Sequence, residues 1–117
     1  VVKKLTAEDI ASIIHEANRQ HRLVMGQAPG PHWGETRAEV RASATNGVVK
    51  ALEGYTPEEL HQEWVEFKGA QGWTWGPYKD RVNRRHPCMV PYEDLPEHEQ
   101  VKDHMFIAMV NALRGRM

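Results

Sequence analysis

The sequence predicts a mainly α-helical single domain spanning residues 1–117, with four helices and a long ordered loop or short extended segments between the third and fourth. Three observations carry that prediction. Apolar residues recur at helical spacing in four separate stretches. Clusters of glycine and proline divide those stretches. The composition, 40% hydrophobic and 26% charged, is that of a chain able to bury one core.

The first helix is expected over 7–25. Thr6 followed by Asp9 approximates a capping box, and Ile10, Ile13, Ile14, Ala17, His21 and Val24 repeat on one face. Gly26 to Gly34 holds three glycines and two prolines and reads as a loop. The second helix, 35–53, carries mostly small apolar side chains, Val40, Ala44, Gly47, Val48 and Ala51 among them, and stops at Gly54. Thr56-Pro57-Glu58-Glu59 is a helix start with its N-cap, its proline at the first turn and its Glu at the third position. It opens the third helix, 57–70, whose inward stripe is Leu60, Trp64 and Phe67. From Gly72 to Leu95 the period is lost and proline recurs, so irregular or extended chain is expected. The fourth helix, 96–114, bears two stripes: Val101, Met105, Ala108, Met109 and Ala112, then Phe106, Val110 and Leu113. Ile13, Ile14, Ala17, Val48, Leu60, Trp64, Met105 and Met109 are the expected core.

Several function classes are unfavoured by composition. No apolar run approaches the ~20 residues that span a bilayer, so neither membrane insertion nor a membrane partner is expected. The formal net charge of -1 offers no global field for DNA or RNA. Cys88 is the one cysteine, and Val1-Val2-Lys3-Lys4 has no apolar signal region, so a reducing, cytoplasmic setting is the expectation. His15 and His21 are six apart, on opposed helix faces, and the other histidines lack the spacing of a zinc site; no metal and no cofactor are expected. There is no nucleophile elbow, P-loop or dinucleotide fingerprint, so no catalytic residue is assigned and an enzyme is not expected.

Trp33, Trp73, Trp75, Tyr78 and Tyr92 sit in or beside loops, where a ring presents a flat face on which a purine could stack. Trp73 and Trp75, one residue apart, would point to opposite sides of an extended segment, so one can be core and the other pocket. Lys79, Arg81, Arg84 and Arg85 form a dense basic cluster suited to phosphate oxygens, or else a solvated loop face. Asn18 and Arg19, with His15 and Arg22, could make one polar wall on the first helix. His86 before Pro87 fits a loop-fixing hydrogen bond or a ligand contact, Asp80 fits an orienting role, and Cys88 fits a packed position.

The segment from Gln71 to Pro96 resembles the ryanodine receptor repeat. The resemblance rests on Gly72-Trp73, Gly76-Pro77, Lys79-Asp80, His86-Pro87-Cys88, Val90, Tyr92 and Leu95-Pro96, in order and without gaps. The flanking helices, through His15-Glu16, Asn18-Arg19, Trp33 and Asn46-Gly47-Val48, are similar to free-standing repeat proteins of bacteria and phages. The resemblance implies a compact helical fold and an aromatic pocket that accepts an adenine nucleotide. Channel function, which belongs to the large receptor, is not implied.

Together these readings lead to an expected non-catalytic binder of a small nucleotide-derived ligand: an adenine nucleotide, a cyclic nucleotide or an ADP-ribose derivative. Its expected contacts are Asn18, Arg19, Trp33, Trp73, Trp75, Tyr78, Lys79, Arg84, Arg85 and His86. A phage protein of this kind would sequester a host defence signal. The alternative is a protein-interaction module, since Trp, Tyr and Arg are also the residues of interface hot spots.

Overall fold

The computed structural model describes residues 3–117; Val1 and Val2, part of the N-terminal segment read above, lie outside the described residues. Four α-helices dominate: α1 (Ala7–Val24), α2 (Ala38–Leu52), α3 (Pro57–Ala70) and α4 (Glu97–Leu113). The sequence-derived bounds agree to within one residue for three of them. The exception is α2, which starts three residues later than expected because Trp33–Glu35 forms a separate 3-10 turn and Thr36-Arg37 is extended.

Both starts read from the sequence are closed by reciprocal hydrogen bonds. Asp9 N–H donates to Thr6 Oγ1 at 3.1 Å while Thr6 N–H donates to Asp9 Oδ2 at 2.8 Å. Thr56 and Glu59 repeat the arrangement at 3.2 and 3.1 Å. Each box satisfies two amides that the first helical turn would leave open.

The core joins α1, α2 and α4: Ile10, Ala11, Ile14, Val48, Ala51 and Val110 are buried together, with Phe106, Ile107, Met109 and Leu113 packed around them. Of the expected core, Ile14, Val48 and Leu60 are buried and Trp64 and Met109 half-buried. Three expectations are corrected. Ile13 is 42% exposed and Met105 56% exposed, and Ala17 is also exposed. On α1 the face turned to α2 and α4 is Ile10, Ala11 and Ile14, which rotates Ile13 and Ala17 outward. On α4 the two stripes divide: Phe106, Val110 and Leu113 face the core, whereas Val101, Met105 and Ala108 face water.

The segment after α3 is held by a minimal parallel pair, β1 (Thr74–Trp75) with β2 (Arg85–His86). Between them the chain reverses at Asp80, whose backbone exchanges hydrogen bonds with Arg85 at 2.8 and 2.9 Å. The Asp80 carboxylate accepts from Asn83 N–H at 3.1 Å and Asn83 Nδ2 at 2.8 Å, the orienting role expected of it. Arg84 sits at φ 54, a left-handed conformation uncommon outside glycine. A 3-10 turn at Tyr92–Asp94 then leads into α4. Among the described residues, no helix is long and apolar enough to cross a membrane.

Candidate functional site

A cavity of about 360 Å³ opens between α2, α3 and α4. Its origin is the contrast in side-chain size noted in the sequence. α2 contributes Val40, Ser43, Ala44 and Gly47, whereas α3 and α4 contribute Trp64, Phe67 and Phe106. Small residues on one helix facing rings on the next two leave space that close packing would otherwise fill. Gly47 marks the tight end, where an added Cβ would stand 3.3 Å from the Phe106 ring.

A second cleft of about 170 Å³ adjoins the first, sharing Val40, Trp64, Lys68 and His86 with it. Its walls add Arg37, Lys79 and Arg81, with Glu39 as the one lining carboxylate. The rings form a continuous partition. His61 stacks on Trp64 at 5.7 Å, Trp64 meets His86 edge-on at 5.0 Å, and His86 meets Trp73 at 6.2 Å. Lys68 Nζ lies 5.6 Å from the Trp73 ring centroid, within reach of cation–π attraction. Trp73 is buried, and its indole N–H has no hydrogen-bond partner among the described residues.

The titratable groups divide by place. Burial, reinforced by Lys79 and outweighing the opposing pull of Glu99, pushes the His86 ring down to about 4, so it is neutral at pH 7. Its Nδ1 accepts from Cys88 N–H at 3.0 Å, which leaves the ring hydrogen on Nε2. Burial, opposed by Glu39 but reinforced by Lys79 and Arg84, lowers Lys68. Burial, Arg22 and Arg81 lower Lys79. These cations are thus partly dehydrated and crowded by one another. On the opposite wall, burial first and then Glu99 push the Asp103 carboxyl up to about 6. Burial and Glu99 also push the Cys88 thiol up to about 11, far from the thiolate that a nucleophile requires.

The residues singled out in the sequence are dispersed by the fold. Trp73, Lys79 and His86 line the second cleft, and Asn18 and His86 line the first. Arg19 is drawn to the loop before α2, where its guanidinium donates to the Gly30 carbonyl at 3.1 Å and pairs with Glu16 at 3.2 Å. Trp33 packs edge-on against His15 at 5.5 Å, and its backbone N–H donates to Glu16 at 3.0 Å. Arg84 donates to the Gln71 carbonyl at 2.7 Å and pairs with Glu39 at 3.6 Å, and Arg85 donates to the Asn83 carbonyl at 2.7 Å. These four hold loops and line neither cavity. Trp75 and Tyr78 point outward, 56% and 68% exposed.

Sequence reasoning missed most of the cavity wall: His61, Glu63, Phe67, Lys68, Glu99, Lys102, Asp103 and Phe106. Trp64, assigned to the core, is also a cavity wall. The available signal was the small-residue face of α2 set against large rings on the following helix. Among the described residues, no group of three or more His, Cys, Asp or Glu could hold a metal ion. The family model of the RyR domain matches residues 45–113, a span that contains α3, α4, the paired loop and most of the lining of both cavities, though not Val40, Ser43 and Ala44 of α2; the chain belongs to the RyR domain family.

Proposed function

We propose that the domain binds a nucleotide-derived ligand without transforming it, with the base in the aromatic cavity and the phosphate in the adjoining cationic cleft. The observation that carries this reading is the junction of the two compartments at Trp64, Lys68 and His86. A cavity of about 360 Å³ falls within the range of small-ligand sites, ~300–1,000 Å³. Trp64 and Phe67 offer faces for stacking. Lys68 and Lys79, partly dehydrated, and the exposed Arg81 beside them favour an anion between them. The first turn of α2, at Arg37 to Val40, adds the positive end of a helix dipole. In this assignment Lys68 and Arg81 replace Arg84 and Arg85 as phosphate contacts.

Binding without turnover is consistent with a protonated Cys88 and with a site whose cations face phosphate rather than a reacting centre. Sequestration of a defence signal by a phage protein would be one use of such binding and requires an affinity tighter than the messenger concentration. A second reading, docking of a protein partner, draws on the outer face of the loop, where Trp75, Tyr78 and Val82 are 56%, 68% and 91% exposed.

Calorimetry and thermal shift with AMP, ADP, cyclic nucleotides and ADP-ribose test the proposal. Binding is expected to raise the melting temperature. It should weaken with salt and fall by about tenfold or more in Lys68→Ala, the usual cost of losing one charge-assisted hydrogen bond. Absence of heat across the whole panel refutes the nucleotide reading, and recovery of a chemically altered ligand refutes its non-catalytic part.

A further inference from the structure

The two ends of the cavity differ in hydrogen-bonding character, and the difference specifies what the ligand must offer. Donors gather where the cleft begins: the Lys68 ammonium, the His86 Nε2–H and the unpartnered Trp73 N–H. Carboxylates gather at the α4 wall, with Lys102 paired to one of them. Glu99 and Asp103 are four residues apart on α4 and line the cavity from the same face. Glu99 is partly neutralised by Lys102 at 3.2 Å. Asp103 has no ion pair or hydrogen bond from a side chain among the described residues, and at pH 7 its carboxyl is ionised although burial raises it to about 6.

His61 gives an independent indication. It is 5% exposed, and its Nε2 lies 2.7 Å from the Val90 carbonyl oxygen. A carbonyl can only accept, so Nε2 carries the hydrogen, and Nδ1 has no partner among the described residues. On α2, Asn46 Nδ2 donates to Glu63 at 3.2 Å, which leaves the Asn46 carbonyl oxygen as another acceptor on the lining. The half-buried Asp103 carboxylate, unpaired among the described residues, disfavours a ligand edge that itself accepts, because both sides would lose water without gaining a bond.

We infer that Asp103, with Glu99 and His61 beside it, is the specificity-determining residue of the site and selects a ligand group that presents two adjacent hydrogen-bond donors. This rests on the nucleotide reading for the identity of the ligand. Two parts of a nucleotide carry such a pair. The guanine edge has N1–H beside N2–H₂, which meets both oxygens of a carboxylate. The ribose has its 2′ and 3′ hydroxyls, also matched by one carboxylate. The adenine edge, with one amine beside an accepting N1, supplies only half of either pattern.

Calorimetry separates the two sources. One arm compares GMP with AMP, and guanosine with adenosine. The other compares each ribonucleotide with its 2′-deoxy form. Removal of the donor pair in at least one arm is expected to weaken binding by about tenfold or more. Asp103→Asn, which replaces one accepting oxygen by a donor at nearly unchanged shape, is expected to bring that ratio to within about threefold. Lys68→Ala should weaken all nucleotides and leave the ratio intact, and thermal unfolding of each variant confirms that it is folded. Glu99→Gln supplies a second variant if Asp103→Asn does not fold. Nucleotides bound with no discrimination in either arm, or with discrimination retained in the carboxamide variant, overturn the inference while leaving the binding reading standing. If no phosphorylated ligand binds but guanosine is still preferred over adenosine, the inference holds and the phosphate assignment fails. If no nucleotide or nucleoside binds, both are overturned.

Discussion

Between pH 7 and pH 5 the half-buried His86 and the half-buried Asp103 carboxyl of the cavity should oppose each other, and removing either should expose the slope of the other. Burial lowers His86 from 6.5 to about 4, within a surround of Lys79, Lys68, Glu99 and His61. The unfolded chain therefore takes up a proton below 6.5 that the folded chain refuses. Stability that is full above 6.5 is lost as pH falls towards 4. Asp103 behaves oppositely. Raised from 3.8 to about 6, it faces His61 and Glu58 of α3 and Glu99 and His104 of α4. The folded chain takes up its proton first, so stability is gained as pH falls through 6 and lost as pH rises through it. At about 1.4 kcal/mol per pH unit of unmatched proton, acidification from pH 7 to pH 5 costs roughly 2 kcal/mol through His86 and returns roughly 1.3 kcal/mol through Asp103. Residual hydration of both groups reduces each to about half. The wild-type profile should thus be nearly flat. Asp103→Asn should lose about 1–2 kcal/mol over this interval, or about 4–8 °C in melting temperature for a chain of this size. His86→Asn, which keeps an acceptor for Cys88 N–H, should gain about 0.7–1.3 kcal/mol. The window lies above the range in which Glu16, held down to about 2 mainly by the Trp33 N–H, takes up its proton. Chemical denaturation at the two pH values measures these differences. An Asp103→Asn profile as flat as wild type would refute the opposition.

Two further outcomes test the packing. Ile14→Ala should cost about 2–5 kcal/mol and Ile13→Ala less than about 1 kcal/mol, although the residues are chemically identical and adjacent, because Ile14 is 2% exposed and Ile13 42%; equal losses in urea denaturation would refute the assigned α1 face. Gly76→Ala should cost about 1–3 kcal/mol, since its Cβ would stand 2.5 Å from that of Arg85 and push β1 from β2; hydrogen exchange should then accelerate at the Thr74 and Gly76 amides, which donate to Arg84 and His86, and unchanged exchange would count against the strand pair.

The sequence by itself determined what short-range chemistry can determine. Thr6 with Asp9, and Thr56 with Glu59, fix helix starts through bonds that span three residues, so neighbours alone suffice. Gly72, at φ 90, ends the helical chain after α3 for the same local reason. The pattern from Gly72 to Pro96 was also legible, because its rigid residues shape the loop they belong to. Direction in space was not. Two apolar stripes on α4 are equivalent until α1 and α2 dock, and docking selected Phe106 and Val110 over Val101 and Met105. Arg84 and Arg85 are as basic as Lys68 on paper. The turn at Asp80 set their guanidinium groups near loop carbonyls, while Lys68, isolated in a helix and unremarked there, was carried to the mouth of both cavities. Asp103 became distinctive only when α3 removed water from it, since burial is a property of what packs against a residue and not of the residue.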